Sequence, residues 1–374
     1  MHPFPPHGRA GGDTTQPRSR SRNSARRVTA SIVAGVLALL LAAGAVVAPA
    51  HAASVTAGRG AAAAFAPGIT TFLDATDATP EQSAGLVFVS TTVDFGAGVA
   101  AGTGMVIDSA GIVVTNHHVV EGATDIEVTI ASTGATYTAK VLGTDATHDV
   151  AVLRLLGAPE LQTVRTDSNG GDVRSEVTAV GDAGGDGGTL TAASGTVTAL
   201  RQAITVNNDD GGTSRLRGLI EVDADIIPGD SGGALLDASG DVIGMNVAAS
   251  SGGPDITGYV IPVRRVMSIA DAVLAGETRG NLDLGYDAFL GVQLASDTGE
   301  PRLAGTVPGG PAATTGMSAG EVITALGGRA VTSTVQLRRL IASYDPGQTV
   351  NLTWADTAGY SHTAEVTLGR APVA

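Results

Sequence analysis

The chain has 374 residues, no cysteine, 43% hydrophobic residues and only 3% aromatic ones. That length allows two or more domains with their own cores, and the lack of cysteine excludes disulfides, thiol nucleophiles and cysteine-bound zinc. Six of the 22 basic residues and one of the 36 acidic ones fall in the first 27 positions, leaving 16 against 35, a formal −19, on the rest. This balance argues against nucleic acid as a partner of the main body.

Residues 1–27 are rich in Pro, Gly, Ser and Arg and do not read as a folded unit. An almost continuous apolar run follows over 28–47, then Ala48-Pro49-Ala50-His51-Ala52-Ala53. A basic start, an apolar run and small residues at alternate positions make a secretory signal over 1–53, with cleavage expected after Ala52. The run also approaches the length that crosses a bilayer, so an uncleaved membrane anchor is the rival. Either reading places everything after residue 53 outside the cytoplasm, secreted or tethered in the cell envelope. Arg26-Arg27 matches only part of a twin-arginine signal. Residues 54–83, rich in Ala, Thr and Pro, read as a linker.

From residue 84 the pattern becomes short apolar runs between glycines. Strands are expected at 86–93, 104–107, 112–115, 126–130, 137–143, 151–155, 176–181, 195–200, 219–222, 234–236, 242–246 and 258–262. A dozen short strands without helices between them predict closed antiparallel barrels. A helical pattern over 263–275 closes this unit, which spans 84–275. Residues 276–286 read as a polar connector. A smaller unit over 287–370 follows, with strands expected at 289–294, 320–326, 349–354 and 362–368 and a helix at 335–342.

The chemistry centres on Pro228-Gly229-Asp230-Ser231-Gly232-Gly233. Glycines let the backbone bend sharply around a serine, so that its amides can face a developing oxyanion. A serine needs a neighbouring base, and the base needs a carboxylate to fix its tautomer. Thr115-Asn116-His117-His118-Val119 supplies histidines at the end of one apolar strand. His148-Asp149-Val150-Ala151-Val152-Leu153 supplies an acid at the start of another, where its charge needs a partner.

These segments, with Gly102-Thr103-Gly104-Met105-Val106-Ile107, Val242-Ile243-Gly244-Met245-Asn246 and Gly258-Tyr259-Val260-Ile261-Pro262, resemble the HtrA family of PDZ-containing, trypsin-fold serine proteases. The resemblance is strongest to its secreted actinobacterial and mycobacterial members and covers about residues 84–370. It implies a mostly β fold, a chymotrypsin/trypsin-like double barrel followed by a PDZ domain with short helices. It implies His118 as base, Asp149 as orienting acid and Ser231 as nucleophile, with an oxyanion hole from the N–H groups of Gly229 and Ser231. His117 is then the variable neighbour, expected to be exposed and inert, and His148 is incidental. Ala288-Phe289-Leu290-Gly291-Val292 resembles a PDZ carboxylate loop, so that Phe289, Leu290, Gly291 and Val292 capture a peptide C-terminus. The segments 307–313 and 316–323 resemble the middle of such a domain.

Three residues depart from the family pattern near the serine. Asp230 stands where many bacterial members have Asn, and an acid there needs a partner. Asp225, six residues before Ser231, has the spacing of the acid in a trypsin-like S1 pocket and suggests a preference for Arg or Lys at P1. Ala234 replaces a proline. In the smaller unit, Glu321 stands where Asp is commoner.

The sequence reading is therefore an exported serine endopeptidase acting on unfolded or tail-tagged proteins, with peptide C-termini as PDZ ligands. No cofactor or metal is implied, since paired-histidine, P-loop and dinucleotide motifs are lacking. The resemblance further implies a homotrimer. The rival from another class is a catalytically latent, PDZ-containing peptide-binding scaffold in the cell envelope.

Overall fold

The computed structural model describes residues 75–207, 213–250, 257–278, 280–295 and 299–373. The proposed signal or anchor at 1–53 lies outside the described residues. Among them, no helix is long and apolar enough to cross a membrane.

The first barrel is built from β2 (Leu86–Val93), β3 (Gly98–Asp108), β4 (Ile112–Thr115), β5 (Ala123–Ile130), β6 (Thr136–Asp145) and β7 (Val150–Leu155), with β1 (Ala75–Asp77) preceding it in the chain. Its order is β6-β5-β2-β3-β4-β7, closed by β6–β7 pairing. The second barrel uses β8 (Glu176–Gly181), β9 (Thr191–Asn207), β10 (Thr213–Val222), β11 (Ala234–Asp237), β12 (Val242–Ser250) and β13 (Thr257–Pro262), in the order β9-β10-β13-β12-β11-β8, closed by β9–β8. Both barrels are antiparallel, as twelve short strands without crossover helices require.

Burial explains why these runs became strands. All four residues of β4 are buried, and so are all of β7 except Arg154. Strands flanked on both faces read as continuous apolar runs, and β5, with one face outward, alternates. With few aromatics available, Val, Leu, Ile and Ala fill both cores.

Two short strands cross between the barrels. β1 precedes the first barrel in sequence yet pairs with β9 of the second, Ala75 opposite Ala193. β14 (Leu282–Leu284) follows the second yet pairs with β6 of the first, Leu282 opposite Asp145. The stretch read as a linker thus contributes a strand to one barrel, and the connector contributes one to the other. α1 (His117–Val120) is a single turn after β4, and α2 (Val263–Leu274) packs its apolar face across β12 and β13 of the second barrel and β6 and β7 of the first.

The smaller unit contains β15 (Ala288–Phe289), β16 (Val292–Leu294), β17 (Leu303–Thr306), a 3₁₀ turn Pro311–Thr315, β18 (Val322–Leu326), β19 (Arg329–Ala330), α3 (Thr334–Ile341), β20 (Thr349–Ala355), β21 (Ser361–Thr367) and β22 (Gly369–Arg370). Its core joins Leu290, Leu303, Ile323, Leu337, Leu352 and Trp354. Past β22 the chain returns to the first barrel. Val373 accepts from Gly122 N–H (2.8 Å), donates to Ala123 O (3.1 Å), and joins that barrel's core.

Candidate active site

β4 ends at Thr115, and the buried Asn116 that follows takes the N-cap position of α1. Asn116 Nδ2 donates to the Asp149 carbonyl at 3.0 Å, tying this corner to the turn before β7. Asp149 then holds His118 at two points. The His118 backbone N–H donates to Oδ1 at 2.9 Å, and ring Nδ1 lies 2.8 Å from Oδ2. An ionised carboxylate only accepts, so the proton sits on Nδ1 and Nε2 is left with its lone pair. The ring is 44% exposed and the Asp149 side chain 9%, an acid buried behind an accessible base.

His117, expected to be exposed, is not. His117 is the buried one, at 6%, and His118 faces outward. A single helical turn sends consecutive side chains about 100° apart. Only one of them can point at Asp149, and the other turns inward against the barrel.

Ser231 comes from the second barrel, on a loop pressed against β3 and β4. Gly232 has φ +85°, and a Cβ there would lie 2.0 Å from Thr103 O. Thr103 N–H donates to Ser231 O at 2.8 Å, and Thr115 Oγ1 donates to Thr103 O at 2.7 Å. Gly102 is also required by space, because a Cβ there would meet Val119 of α1 at 2.8 Å and Ser231 O at 3.1 Å. The Ser231 loop therefore meets the strands that lead into His118. Ser231 Oγ donates to Val247 O at 3.4 Å, longer than the 2.5–3.0 Å typical of a hydroxyl bond, so it is weakly held.

Most amides of the loop are engaged. Ile227 N–H donates to Asp230 Oδ2, Asp230 N–H to Ile227 O, Gly232 N–H to Asn246 O and Gly233 N–H to Asp230 O. The N–H groups of Gly229 and Ser231 have no acceptor among the described residues. These are the two amides assigned to the oxyanion hole. Pro228 O accepts from Gly184 N–H at 2.8 Å, which turns the Gly229 N–H of the same trans peptide away from that side.

The partner demanded by Asp230 is partial. The residue is 4% exposed; Oδ2 accepts from Ile227 N–H at 2.9 Å, and the buried Oδ1 has no partner among the described residues. Burial pushes its carboxyl up to about 7, the Ile227 N–H opposes this, and nearby Asp182 adds to it. Asp182 is itself raised by burial, opposed by the Gly187 N–H and reinforced by Asp186. Sequence reasoning passed over this second acid, although Asp182-Ala183-Gly184-Gly185-Asp186-Gly187-Gly188 is an unusual run. Asp225 is half-buried between buried Ala224 and Ile226.

In the smaller unit, Phe289 pairs with Gly369, and Gly291 has φ +78°, which breaks the run expected as one strand into β15 and β16. Ala312 N–H donates to Leu290 O and Val307 N–H to Gly291 O, both at 2.9 Å. With the Leu290 carbonyl facing Ala312, Gly291 N–H points the opposite way, as a carboxylate-capturing loop requires. Val292 opens β16, opposite Thr306. Sequence reasoning missed the neighbour of this loop. Phe95, at the tip of the β2–β3 hairpin, stacks on Phe289 with centroids 5.0 Å apart.

No group of three or more His, Asp or Glu residues suited to a metal ion occurs among the described residues.

Residues 102–245 match the model of the trypsin-like peptidase domain, and residues 288–356 that of the PDZ domain. Serine protease PepD of Mycobacterium tuberculosis is 32% identical over 299 residues, covering 74% of this chain and 62% of its own length. Periplasmic serine endoprotease DegP of Salmonella typhimurium is 32% identical over 268 residues, covering 68% and 54%. The chain thus spans less than two thirds of each of these relatives. A solved structure of the HtrA-type protease AlgW with tripeptide is 25% identical, covers 78% of this chain and 95% of its own, and has a TM-score of 0.45. With a trypsin-like peptidase domain and a PDZ domain in that order on one chain, the protein belongs to the HtrA family of serine proteases.

Proposed function

We propose that the chain is an exported serine endopeptidase that cleaves unfolded or tail-tagged proteins. His118, Asp149 and Ser231 form its triad, and the N–H groups of Gly229 and Ser231 its oxyanion hole. The observation that carries this reading is the two-point hold of Asp149 on His118, beside a nucleophile loop whose two unclaimed amides are the two required. In this reading His118 Nε2 takes the Ser231 proton as Oγ attacks the scissile carbonyl. Asp149 stabilises the imidazolium, which then protonates the leaving amine. The carbonyl oxygen becomes negative as the tetrahedral intermediate forms, and each amide facing it is worth about 3 kcal/mol. Water, activated by the same histidine, hydrolyses the acyl-enzyme.

The protease unit is assigned to 84–275 and the PDZ unit to 287–370, with the leader at 1–53 directing export to the envelope or beyond. Phe289, Leu290, Gly291 and Val292 would hold a peptide's terminal carboxylate and raise substrate concentration near Ser231. Asp225 would draw Arg or Lys side chains at P1.

The test incubates the wild type and Ser231→Ala with unfolded casein and maps the cuts by mass spectrometry. Cuts made only by the wild type are expected. No cuts by either, together with peptide binding at the PDZ unit, would favour the latent-scaffold reading.

A further inference from the structure

A second histidine–aspartate pair lies beside the first and takes no part in the mechanism above. β6 ends at Asp145 and β7 starts at Val150, leaving four residues to reverse the chain and deliver Asp149. Within this turn His148 Nδ1 lies 2.7 Å from Asp145 Oδ2, and the His148 backbone N–H donates to Asp145 Oδ1 at 3.1 Å. This repeats the grip between Asp149 and His118, ring to one carboxylate oxygen and backbone N–H to the other. Asp145 is 7% exposed in its side chain and His148 41%, again an accessible ring on a buried acid.

The turn needs such a clamp. Asp149 has φ +57°, a left-handed conformation that costs a residue with a side chain roughly 1–2 kcal/mol. Its surroundings must therefore impose that conformation. Asn116 fixes the Asp149 carbonyl from one side, and Asn281, just before β14, donates to Thr147 Oγ1 from another. Neither reaches the start of the turn. His148 does, by closing a ring of four residues onto Asp145, whose charge is also favoured by Arg265 of α2.

We propose that His148 is a positioning residue for the catalytic acid: its ring clamps Asp145 and so fixes the turn that aims the Asp149 carboxylate at His118. The inference rests on the reading of His118, Asp149 and Ser231 as the triad. His148 acts through Asp149 and touches no reacting atom, so it governs turnover and not substrate binding.

The donor position allows a sharp test. In Asn, Nδ2 sits near the place of His Nδ1, whereas in Gln the amide lies one methylene further out. The full chain is compared as wild type, Ser231→Ala, His148→Ala, His148→Asn and His148→Gln, measuring kcat and KM on one peptide and the melting temperature of each. His148→Ala and His148→Gln should lose roughly 10- to 100-fold in kcat, the scale of a small misplacement, with KM unchanged. His148→Asn should stay within about threefold of the wild type, by the same geometric argument. The acid limb of kcat/KM should move to lower pH in His148→Ala, because a poorly aimed Asp149 supports the His118 imidazolium less. Wild-type kcat in His148→Ala, or equal losses in the Asn and Ala variants, would overturn the inference. So would a loss of kcat with an unmoved acid limb. A wild type without Ser231-dependent cleavage would overturn the triad reading itself, and this inference with it.

Discussion

Asp230→Asn is the most informative single change, because it replaces an acid whose cost can be read from its surroundings. The carboxyl is displaced from 3.8 to about 7, chiefly by burial. That displacement corresponds to about 4 kcal/mol of difference between its protonated and ionised forms. Between about pH 4 and 7 the folded protein keeps the Asp230 proton and the unfolded chain has released it. The folded state then binds more protons than the unfolded one, so stability falls as pH rises, by up to about 1.4 kcal/mol per pH unit. Below pH 4 both states are protonated and above about 7 both are ionised, so this contribution is flat outside that window. Asparagine keeps an oxygen for the Ile227 N–H and carries no charge. Its Nδ2 takes the place of the unpartnered Oδ1, at a cost of about 1–3 kcal/mol for a buried donor without an acceptor, independent of pH. The difference between the two proteins should therefore change with pH whatever its starting value. Urea unfolding of both at pH 5, 6, 7 and 8, followed by circular dichroism, measures it. The wild type should lose about 3 kcal/mol relative to Asp230→Asn across this series, nearly all of it between pH 5 and about 7.5, by the same linkage. Parallel stability curves would refute the argument and place a compensating cation or proton donor at Oδ1.

Two further changes test neighbouring parts of the site. Gly229→Ala puts a Cβ 2.0 Å from Asp182 O and 2.5 Å from Gly185 N at φ +101°, so the Gly229 amide must move; kcat should fall by about 10²–10³, the loss seen for one oxyanion donor, and fluorophosphonate labelling of Ser231 should slow with it. Asp225→Ala should abolish any advantage of an Arg-P1 peptide over a Val-P1 peptide, measured as the ratio of their kcat/KM values, while leaving Val-P1 cleavage intact.

Much of the fold was legible because burial and pairing act on the same short runs. β4 and β7 are nearly all buried, and their apolar character marked them without ambiguity. β9 spans Thr191–Asn207 where the pattern predicts only 195–200: its far end pairs with β10 and lays Ile204 and Val206 on the core, but a break at Arg201, with φ +58°, separates it from the first run. Arg201 and Gln202 in that extension carry no apolar alternation. α1 is four residues long, too short to show a helical period, and its inward face decided which histidine is buried. The segments carrying His118, Asp149 and Ser231 were visible as local motifs. Asp182 was not, since its bearing on Asp230 arises from contact between loops 48 residues apart. The stacking of Phe95 on Phe289 is a still longer-range contact with no local signature.

The candidate site divides between the barrels, with His118 and Asp149 on the first and Ser231 and Gly229 on the second. Its geometry is therefore only as fixed as the two barrels are to each other. The exchanged strands β1 and β14 tie them at the periphery, each leaving one barrel's sequence to pair with the other's edge. At the centre they share an apolar core, in which Met105, Val114 and Val152 of the first meet Val180, Ala234 and Met245 of the second, and the polar tie to the Ser231 loop is Thr103. Thr103 Oγ1 donates to Gly229 O at 2.8 Å and accepts from Asp182 N–H at 2.9 Å, and its own backbone N–H holds Ser231 O. Fully buried, it satisfies both capacities of its hydroxyl across the interface. Valine there would keep the shape and leave the Asp182 N–H and the Gly229 carbonyl unpaired in a dry contact, each costing about 1–3 kcal/mol. The threonine after Gly102 is thus explained by the loop it pins on the opposite barrel, and the glycine before it by the approach of α1 and the serine segment.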